Sequence, residues 1–299
     1  MEWNSAHRST TNNDPRAKQT KNTSIKDTFD GEYNGLTGFT PLFMAKEKAI
    51  IIIIFFFFFN FFISLAMNQP HRTLEAMLDD DSPYARYDPA KNSLVKISSK
   101  SFLLGVVFTG ALIGELTHPR LIPLCLYLQF LCIFHSLEFG MTYLYNNSQT
   151  DDDSFILEDR EFHLITVISI VEYLVSPFHL HVVPIGLLLA LLGQLVRTLS
   201  MGTAQESFNH YIQKSGKETH TLVTQGVYKY IRHPSYFGFF IWFVGLELLL
   251  GNILILVVGG IILWRFFRDR IRYEEEYLIK MFGADYQSYR ANTKTWLYI

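Results

Sequence analysis

The sequence has few cysteines and little net charge. Its only cysteines, Cys125 and Cys132, both lie in an apolar stretch, so they offer no disulfide framework or metal ligand set. They are predicted to be small buried core residues. The net charge of -2 excludes a large basic surface, and nucleic acid is therefore not an expected partner.

The motifs of the common soluble nucleotide and zinc sites are also missing. The sequence contains no G-x-G-x-x-G after a strand-like segment, no P-loop, no H-E-x-x-H and no paired C-x-x-C. Three of the ten histidines, at 210, 220 and 233, lie close together in the chain, but their separations match no zinc-ligand spacing. No metal site is predicted.

Long apolar segments are abundant. Hydrophobic residues make up 49% of the chain, and the run Ala49 to Ala66 is long enough for one bilayer crossing at about 20 residues per helix. Further apolar segments lie at 101–117, 120–145, 161–177 and 181–200, with a helical hairpin at 236–267 that bends at Gly251-Asn252. The pattern predicts an all-α polytopic membrane protein with seven visible crossings.

Composition divides the chain into three parts. Residues 1–41 are polar and lack an apolar period, which is typical of a disordered tail. Residues 42–100 are predicted to form the first transmembrane span and a polar connection, and residues 101–299 the transmembrane core.

Basic residues indicate the orientation of the chain. Of the 26 Lys and Arg, 11 follow residue 200, which predicts a cytosolic carboxyl end, and Lys46 and Lys48 favour a cytosolic amino end. Seven crossings cannot satisfy both ends. Either a further span is hidden, with 67–100 as a candidate, or a hairpin is miscounted.

A dense polar block, Asn209 to Gly238, directly precedes the apolar hairpin. Within it the stretch "YIRHPSYFGFFIW" places Arg232, His233 and Pro234 against residues as apolar as a membrane span. Such a cluster predicts a functional site, although a positively charged membrane boundary is the alternative interpretation. Pro234 suits the first turn of a helix, whose amino terminus attracts anionic groups toward His233 and Tyr236.

The segment Trp264 to Arg290 follows the hairpin and is predicted to continue as a helix into the cytosol. One stripe is apolar and contains Phe267, Ile271, Leu278 and Phe282. Arg270, Glu274 and Tyr277 share an adjacent stripe. This stripe is predicted to be part of the site at the membrane edge. The alternative is that Arg270 and Glu274 form a solvated ion pair.

Two stretches, "HTLVTQGVYKYIRHPSYFGFFIWFVG" and "WRFFRDRIRYEEEYLIKMFGADYQSY", resemble the isoprenylcysteine carboxyl methyltransferase family. The specific similarity covers about residues 185 to 290, and "FHSLEF" around Glu138 also agrees. The resemblance implies an endoplasmic reticulum membrane enzyme with eight transmembrane helices and a site that faces the cytosol. Such an enzyme uses S-adenosylmethionine to methylate the carboxylate of a C-terminal farnesyl- or geranylgeranyl-cysteine in small GTPases and other proteins processed at CaaX motifs.

The resemblance also implies the residues of the site. A cofactor-binding segment at 205–238 and a C-terminal helix at 264–290 would form it. The implied cofactor-binding residues are His210, His220, Leu222, Val223, Tyr228, His233, Pro234 and Tyr236, with Glu274 or Glu275 closing the pocket. The implied catalytic residues are Arg197, Arg270 and Glu274.

Three other functions remain open from the sequence. A phospholipid N-methyltransferase of the same architecture would need a neutral amine and has no use for Arg270. A sterol reductase shares the terminal motif but uses a nicotinamide cofactor. A non-catalytic membrane scaffold or channel subunit would leave the polar block as a plain cytosolic loop.

Overall fold

A computed structural model describes residues 93–145, 150–177, 180, 182–208, 210 and 221–299. This part of the chain is helical, and its six α-helices are numbered here in chain order. They are α1 (Leu94–Thr117), α2 (Ile122–Tyr145), α3 (Arg160–Val175), α4 (Val183–Ala204), α5 (Pro234–Leu250) and α6 (Leu254–Asn292).

The helices match the predicted apolar segments after residue 100. Within the described residues, three stretches are long and apolar enough to cross a membrane: Leu94–Thr117, Pro119–Tyr145 and Val183–Ser207. The helix Pro234–Leu250 is apolar but shorter. The predicted span Ala49 to Ala66 and the tail lie outside the described residues.

The predicted helical boundaries at the hairpin are confirmed. Pro234 lies in the first turn of α5, where its missing N–H costs no hydrogen bond. Gly251 ends α5 with a φ of 75°, a left-handed conformation that glycine adopts without steric penalty. α6 begins three residues later, so α5 and α6 form the hairpin that the sequence predicted.

Helices α4 and α5 pack closely because each has two glycines, seven residues apart, on the face that contacts the other helix. A Cβ at Gly193 of α4 would lie 2.3 Å from the backbone nitrogen of Trp242, and one at Gly245 of α5 would lie 2.2 Å from that of Ala190. Small residues at such contacts let helix backbones approach closely in membrane proteins. This contact sets Arg197 of α4 opposite Ser235 of α5.

We expect Gly193→Ala to abolish most of the folded yield in detergent, because the new methyl group meets backbone atoms that cannot rotate away. Gly105→Ala in α1 is the matched control, since a Cβ there meets nothing within 4 Å. It should be neutral or stabilise by up to about 1 kcal/mol through helix propensity. Monodispersity in size-exclusion chromatography compares the two, and a well-folded Gly193→Ala protein would contradict the proposed contact.

A buried polar cluster fixes α3 to the turn between α5 and α6. Glu247 accepts hydrogen bonds from the Ser169 hydroxyl and the Asn252 amide, both at 2.8 Å. The Glu172 carboxylate accepts from the backbone N–H groups of residues 253–255 at 2.7 to 2.9 Å. Glu172 thus satisfies the free amides at the start of α6, which would otherwise be costly in an apolar environment.

The last helix does not run straight. Gly283 has a φ of 54° and a ψ of −125°, so it interrupts α6 between residues 282 and 284. The Arg290 side chain nevertheless forms an ion pair with Glu275 at 3.1 Å, although 15 residues of straight helix would separate their backbones by about 22 Å. The chain therefore folds back at Gly283.

Candidate active site

One end of the helical bundle collects the polar side chains that the sequence singled out. The carboxyl-terminal turns of α2 and α4, the first turn of α5 and the middle of α6 all contribute to it. Side-chain hydrogen bonds connect these four helices directly. Polar residues from Glu138 to Glu275 thereby form one contiguous group, which we call the polar site.

Arg197 is the most enclosed basic side chain of the polar site. Its Nε and Nη2 both donate to the Glu138 carboxylate, the latter at 2.9 Å, and its Nη1 donates to the Ser235 hydroxyl at 3.0 Å. The guanidinium also lies beside the rings of Phe134 and Phe239, at 5.3 and 5.2 Å from their centroids. Glu138 is 1% exposed, so the two buried charges neutralise each other.

His210 connects this ion pair to α6. Its Nε2 lies 3.2 Å from the Thr142 hydroxyl, which donates its own proton to the Glu138 carbonyl. The imidazole therefore donates from Nε2, which leaves Nδ1 unprotonated in the neutral ring. Burial is the largest influence on the pKa of His210 and lowers it, and the cations Arg197 and Arg270 act in the same direction against the Glu138 charge. His210 is neutral at physiological pH.

Arg270 differs from Arg197 because it has no carboxylate partner among the described residues. Its Nε donates to the Tyr236 hydroxyl at 2.9 Å, its Nη2 donates to the His210 carbonyl, and its guanidinium lies 5.6 Å from the Tyr236 ring centroid. Within the described part of the chain, no carboxylate oxygen lies within 4.0 Å of this guanidinium. Arg270 is half-buried and keeps its positive charge for another anion.

The Tyr236 hydroxyl separates Arg270 from Glu274. It donates to the Glu274 carboxylate at 2.8 Å while it accepts from Arg270. The direct ion pair that the i and i+4 spacing allowed is therefore replaced by a three-residue chain through α5. The Glu274 side chain is 27% exposed, so this carboxylate is only partly enclosed by the protein.

Arg232 and His233 share one carboxylate oxygen of Glu275. The Arg232 Nε donates to it at 2.5 Å and the His233 Nε2 at 3.2 Å, while Arg290 bonds the other oxygen. Burial alone would raise the pKa of Glu275, but the hydrogen bond from His233 and the charge of Arg232 outweigh it and lower the pKa to about 2. The Glu275 carboxylate is ionised at neutral pH and fixes the His233 ring.

The remaining predicted residues lie around this group. Tyr228 is half-buried, and burial, followed by the Glu274 charge, raises the pKa of its hydroxyl, which stays neutral. Leu222 and Val223 are half-buried in an extended segment, and Pro234 is buried. His220 lies outside the described residues. Residues 221–224 form neither helix nor strand, and a 3-10 turn at Gly226–Lys229 follows them.

Sequence reasoning left three polar-site residues without a role: Thr142, Glu138 and Ser235. Glu138 was visible as an acidic residue inside an apolar segment, which is a signal for a functional or paired carboxylate. Ser235 and Thr142 carry no such signal, because small hydroxyl residues are common in membrane helices.

Comparison with known proteins identifies the class. The model of the isoprenylcysteine carboxyl methyltransferase (ICMT) family matches residues 185–280. The protein-S-isoprenylcysteine O-methyltransferase of Saccharomyces cerevisiae is 37% identical over 226 residues, which cover 71% of this chain and 93% of that protein. The human protein of the same name is 34% identical over 210 residues, 68% of this chain and 74% of its own length.

A solved structure agrees with these relatives. The eukaryotic intramembrane Ras methyltransferase ICMT superposes with a TM-score of 0.65 and 26% identity, and covers 92% of this chain and 93% of its own. The chain is therefore a multi-pass integral membrane methyltransferase that uses S-adenosylmethionine. The chain belongs to the isoprenylcysteine carboxyl methyltransferase family.

Proposed function

We propose that this protein transfers the methyl group of S-adenosylmethionine to the α-carboxylate of a C-terminal prenylated cysteine. The observation that carries this proposal is Arg270, a half-buried guanidinium without a carboxylate partner among the described residues. Its planar fork can hold a substrate carboxylate with two hydrogen bonds and leave an oxygen lone pair for attack. Arg197 cannot do so while Glu138 occupies it, and we propose that it positions Ser235 and α5 instead.

The residues of the polar site fit the methyl donor. S-adenosylmethionine carries a cationic sulfonium and an ammonium group, and the partly exposed Glu274 carboxylate offers an anion for one of them. Tyr236 and His233 have parallel rings 5.7 Å apart beside it, a surface suited to a cationic or flat group. We propose that these residues, with His210, His220, Leu222, Val223, Tyr228, Pro234 and Glu275, form the donor site.

The reaction needs no general base. A C-terminal carboxyl has a pKa of about 3.3–3.7 and is ionised at neutral pH. The bound donor supplies an electrophilic methyl group: a carboxylate oxygen forms the new O–C bond, the C–S bond breaks, and its electron pair stays on sulfur. The protein therefore accelerates the step by alignment and by exclusion of water, and Arg270 provides the alignment.

The Arg270 guanidinium also argues against a phospholipid amine as substrate. A neutral amine gains nothing from a nearby unpaired guanidinium and would be repelled by it once it carries a proton. A non-catalytic scaffold gives no reason to hold a half-buried cation without an anion.

The decisive experiment incubates the purified protein with radiolabelled S-adenosylmethionine and N-acetyl-S-farnesylcysteine. The matched control substrate is the same compound with its carboxylate converted to an amide. We expect label in the free acid alone. Equal labelling of the amide, or transfer to phosphatidylethanolamine instead, would contradict the proposed acceptor.

The donor site can be tested at His233. We expect His233→Ala to weaken S-adenosylhomocysteine binding about tenfold or more, because it removes one of the two parallel rings of the proposed donor site and leaves Glu275 without one of its hydrogen-bond donors, while the KM for farnesylcysteine changes little. His118→Ala, at the exposed link between α1 and α2, is the control. Isothermal titration measures both, and an unchanged affinity would remove His233 from the donor site.

We also propose how the chain is divided, how it is oriented in the membrane and where it is located, from its sequence and its family. Residues 1–41 form a tail outside the catalytic core, 42–100 contain the first span, and the whole chain has seven to eight transmembrane helices. The excess of basic residues after residue 200 supports a polar site that faces the cytosol, and membership in the family supports the endoplasmic reticulum membrane. Small GTPases and other CaaX proteins are the proposed substrates.

A further inference from the structure

The last 16 residues lie against the segment that carries the donor site. After the break at Gly283, residues 284–299 run back toward residues 228–233, and we call them the C-terminal clamp. Helix 284–292 forms its first half, and a non-helical strap, residues 293–299, forms its second half.

Five hydrogen bonds join the clamp to residues 228–232. The Tyr289 hydroxyl donates to the Tyr228 carbonyl at 2.6 Å, and the Trp296 indole donates to the Tyr230 carbonyl at 3.0 Å. The Arg232 backbone N–H donates to the Lys294 carbonyl at 2.9 Å. The Arg232 side chain also donates to the carbonyls of Arg290, at 3.2 Å, and Thr293.

The strap is anchored by its alternating residues. Thr293, Thr295 and Leu297 are buried, while the residues between them are exposed. Leu297 packs with Phe267 and Ile271 in a cluster that includes the Tyr236 ring, and its carbonyl accepts from the Trp264 indole at 2.9 Å. The strap thus contacts both α5 and α6.

We infer that the C-terminal clamp is a positioning element of the methyl-donor site. Arg232 is the connection: the clamp occupies its Nη1 and backbone N–H, which leaves its Nε on Glu275, and Glu275 holds His233. Without the clamp, Arg232 and Glu275 lose their fixed geometry, and residues 228–233 lose three backbone hydrogen bonds. This inference rests on the proposed function of the polar site, and no residue of the strap is proposed to touch either substrate.

The test compares two variants that differ by one position in the strap. Leu297→Asp places a charge in the apolar cluster and should release the strap. Tyr298→Asp adds the same charge at a fully exposed side chain and serves as the control. We expect Leu297→Asp to raise the KM for S-adenosylmethionine and the Kd for S-adenosylhomocysteine about tenfold, with the KM for farnesylcysteine within about twofold. Leu297→Met should restore wild-type values.

A second variant covers the case in which Leu297→Asp fails to fold. The double variant Trp264→Phe/Trp296→Phe keeps the aromatic rings but removes two of the N–H groups that hold the strap, and we expect about a threefold rise in the KM for S-adenosylmethionine. Folded variants with wild-type affinity for the donor overturn the inference, as does an equal loss toward both substrates, which indicates a merely structural role.

The proposed function is judged separately from the clamp. If the wild-type protein binds S-adenosylhomocysteine but does not methylate farnesylcysteine, the proposed acceptor is wrong, and the binding constants of the variants still decide the role of the clamp. If the wild-type protein methylates farnesylcysteine and the variants bind the donor normally, only the clamp is refuted.

Discussion

Replacement of Arg270 by lysine should lower kcat at least about 100-fold while the protein still folds, a loss typical of one removed transition-state contact. Lysine keeps the positive charge but loses the planar fork that donates to Tyr236 and His210. The carboxylate would then be attracted without being aligned, so the loss should appear in kcat more than in the KM for the prenylated substrate. Steady-state kinetics with farnesylcysteine in detergent measures both parameters.

The matched control for this prediction is Arg272→Lys. Arg272 lies on the same helix, two residues away and exposed, so its replacement should leave kcat within about twofold of wild type, as expected for a surface side chain. If Arg270→Lys methylates farnesylcysteine at a rate near that of the control, then Arg270 is a structural residue and the proposed carboxylate site is wrong.

The sequence predicted the parts of the fold that depend on local pattern. Pro234 at the start of α5 and Gly251 at its end were visible because each residue has a distinct backbone preference. The break at Gly283 was not predicted, since a single glycine is tolerated within a helix and only the Arg290–Glu275 ion pair shows that the chain reverses there.

The polar site shows a similar limit. The spacing of Arg270 and Glu274 predicted that they act together, but periodicity cannot show that the Tyr236 hydroxyl from another helix lies between them. The sequence also did not show that Arg197 has a carboxylate partner while Arg270 has none among the described residues. Arg197 is neutralised by Glu138, 59 residues earlier in the chain, and such a pairing depends on how α2 packs against α4.

The pairing of Arg197 with Glu138 leads to the second large expected effect. Glu138→Ala should reduce folded yield severely, because it leaves a buried guanidinium without its counter-charge, a loss of roughly 3–5 kcal/mol. Glu158→Ala is the control, since Glu158 forms an exposed ion pair with Lys100 at 3.0 Å and such pairs contribute at most about 1 kcal/mol. Thermal unfolding in detergent, followed by size-exclusion chromatography, compares the two variants.

A double variant separates the structural role of this pair from its role in methyl transfer. Glu138→Leu/Arg197→Met removes both charges and fills the space with apolar atoms, so folded yield should recover to near the wild-type level. Methyl transfer should stay low, because Ser235 loses the Nη1 hydrogen bond that fixes the first turn of α5 beside His233 and Tyr236. Full activity in a stable double variant would show that the pair only supports the fold, and the positioning role proposed for Arg197 would be wrong.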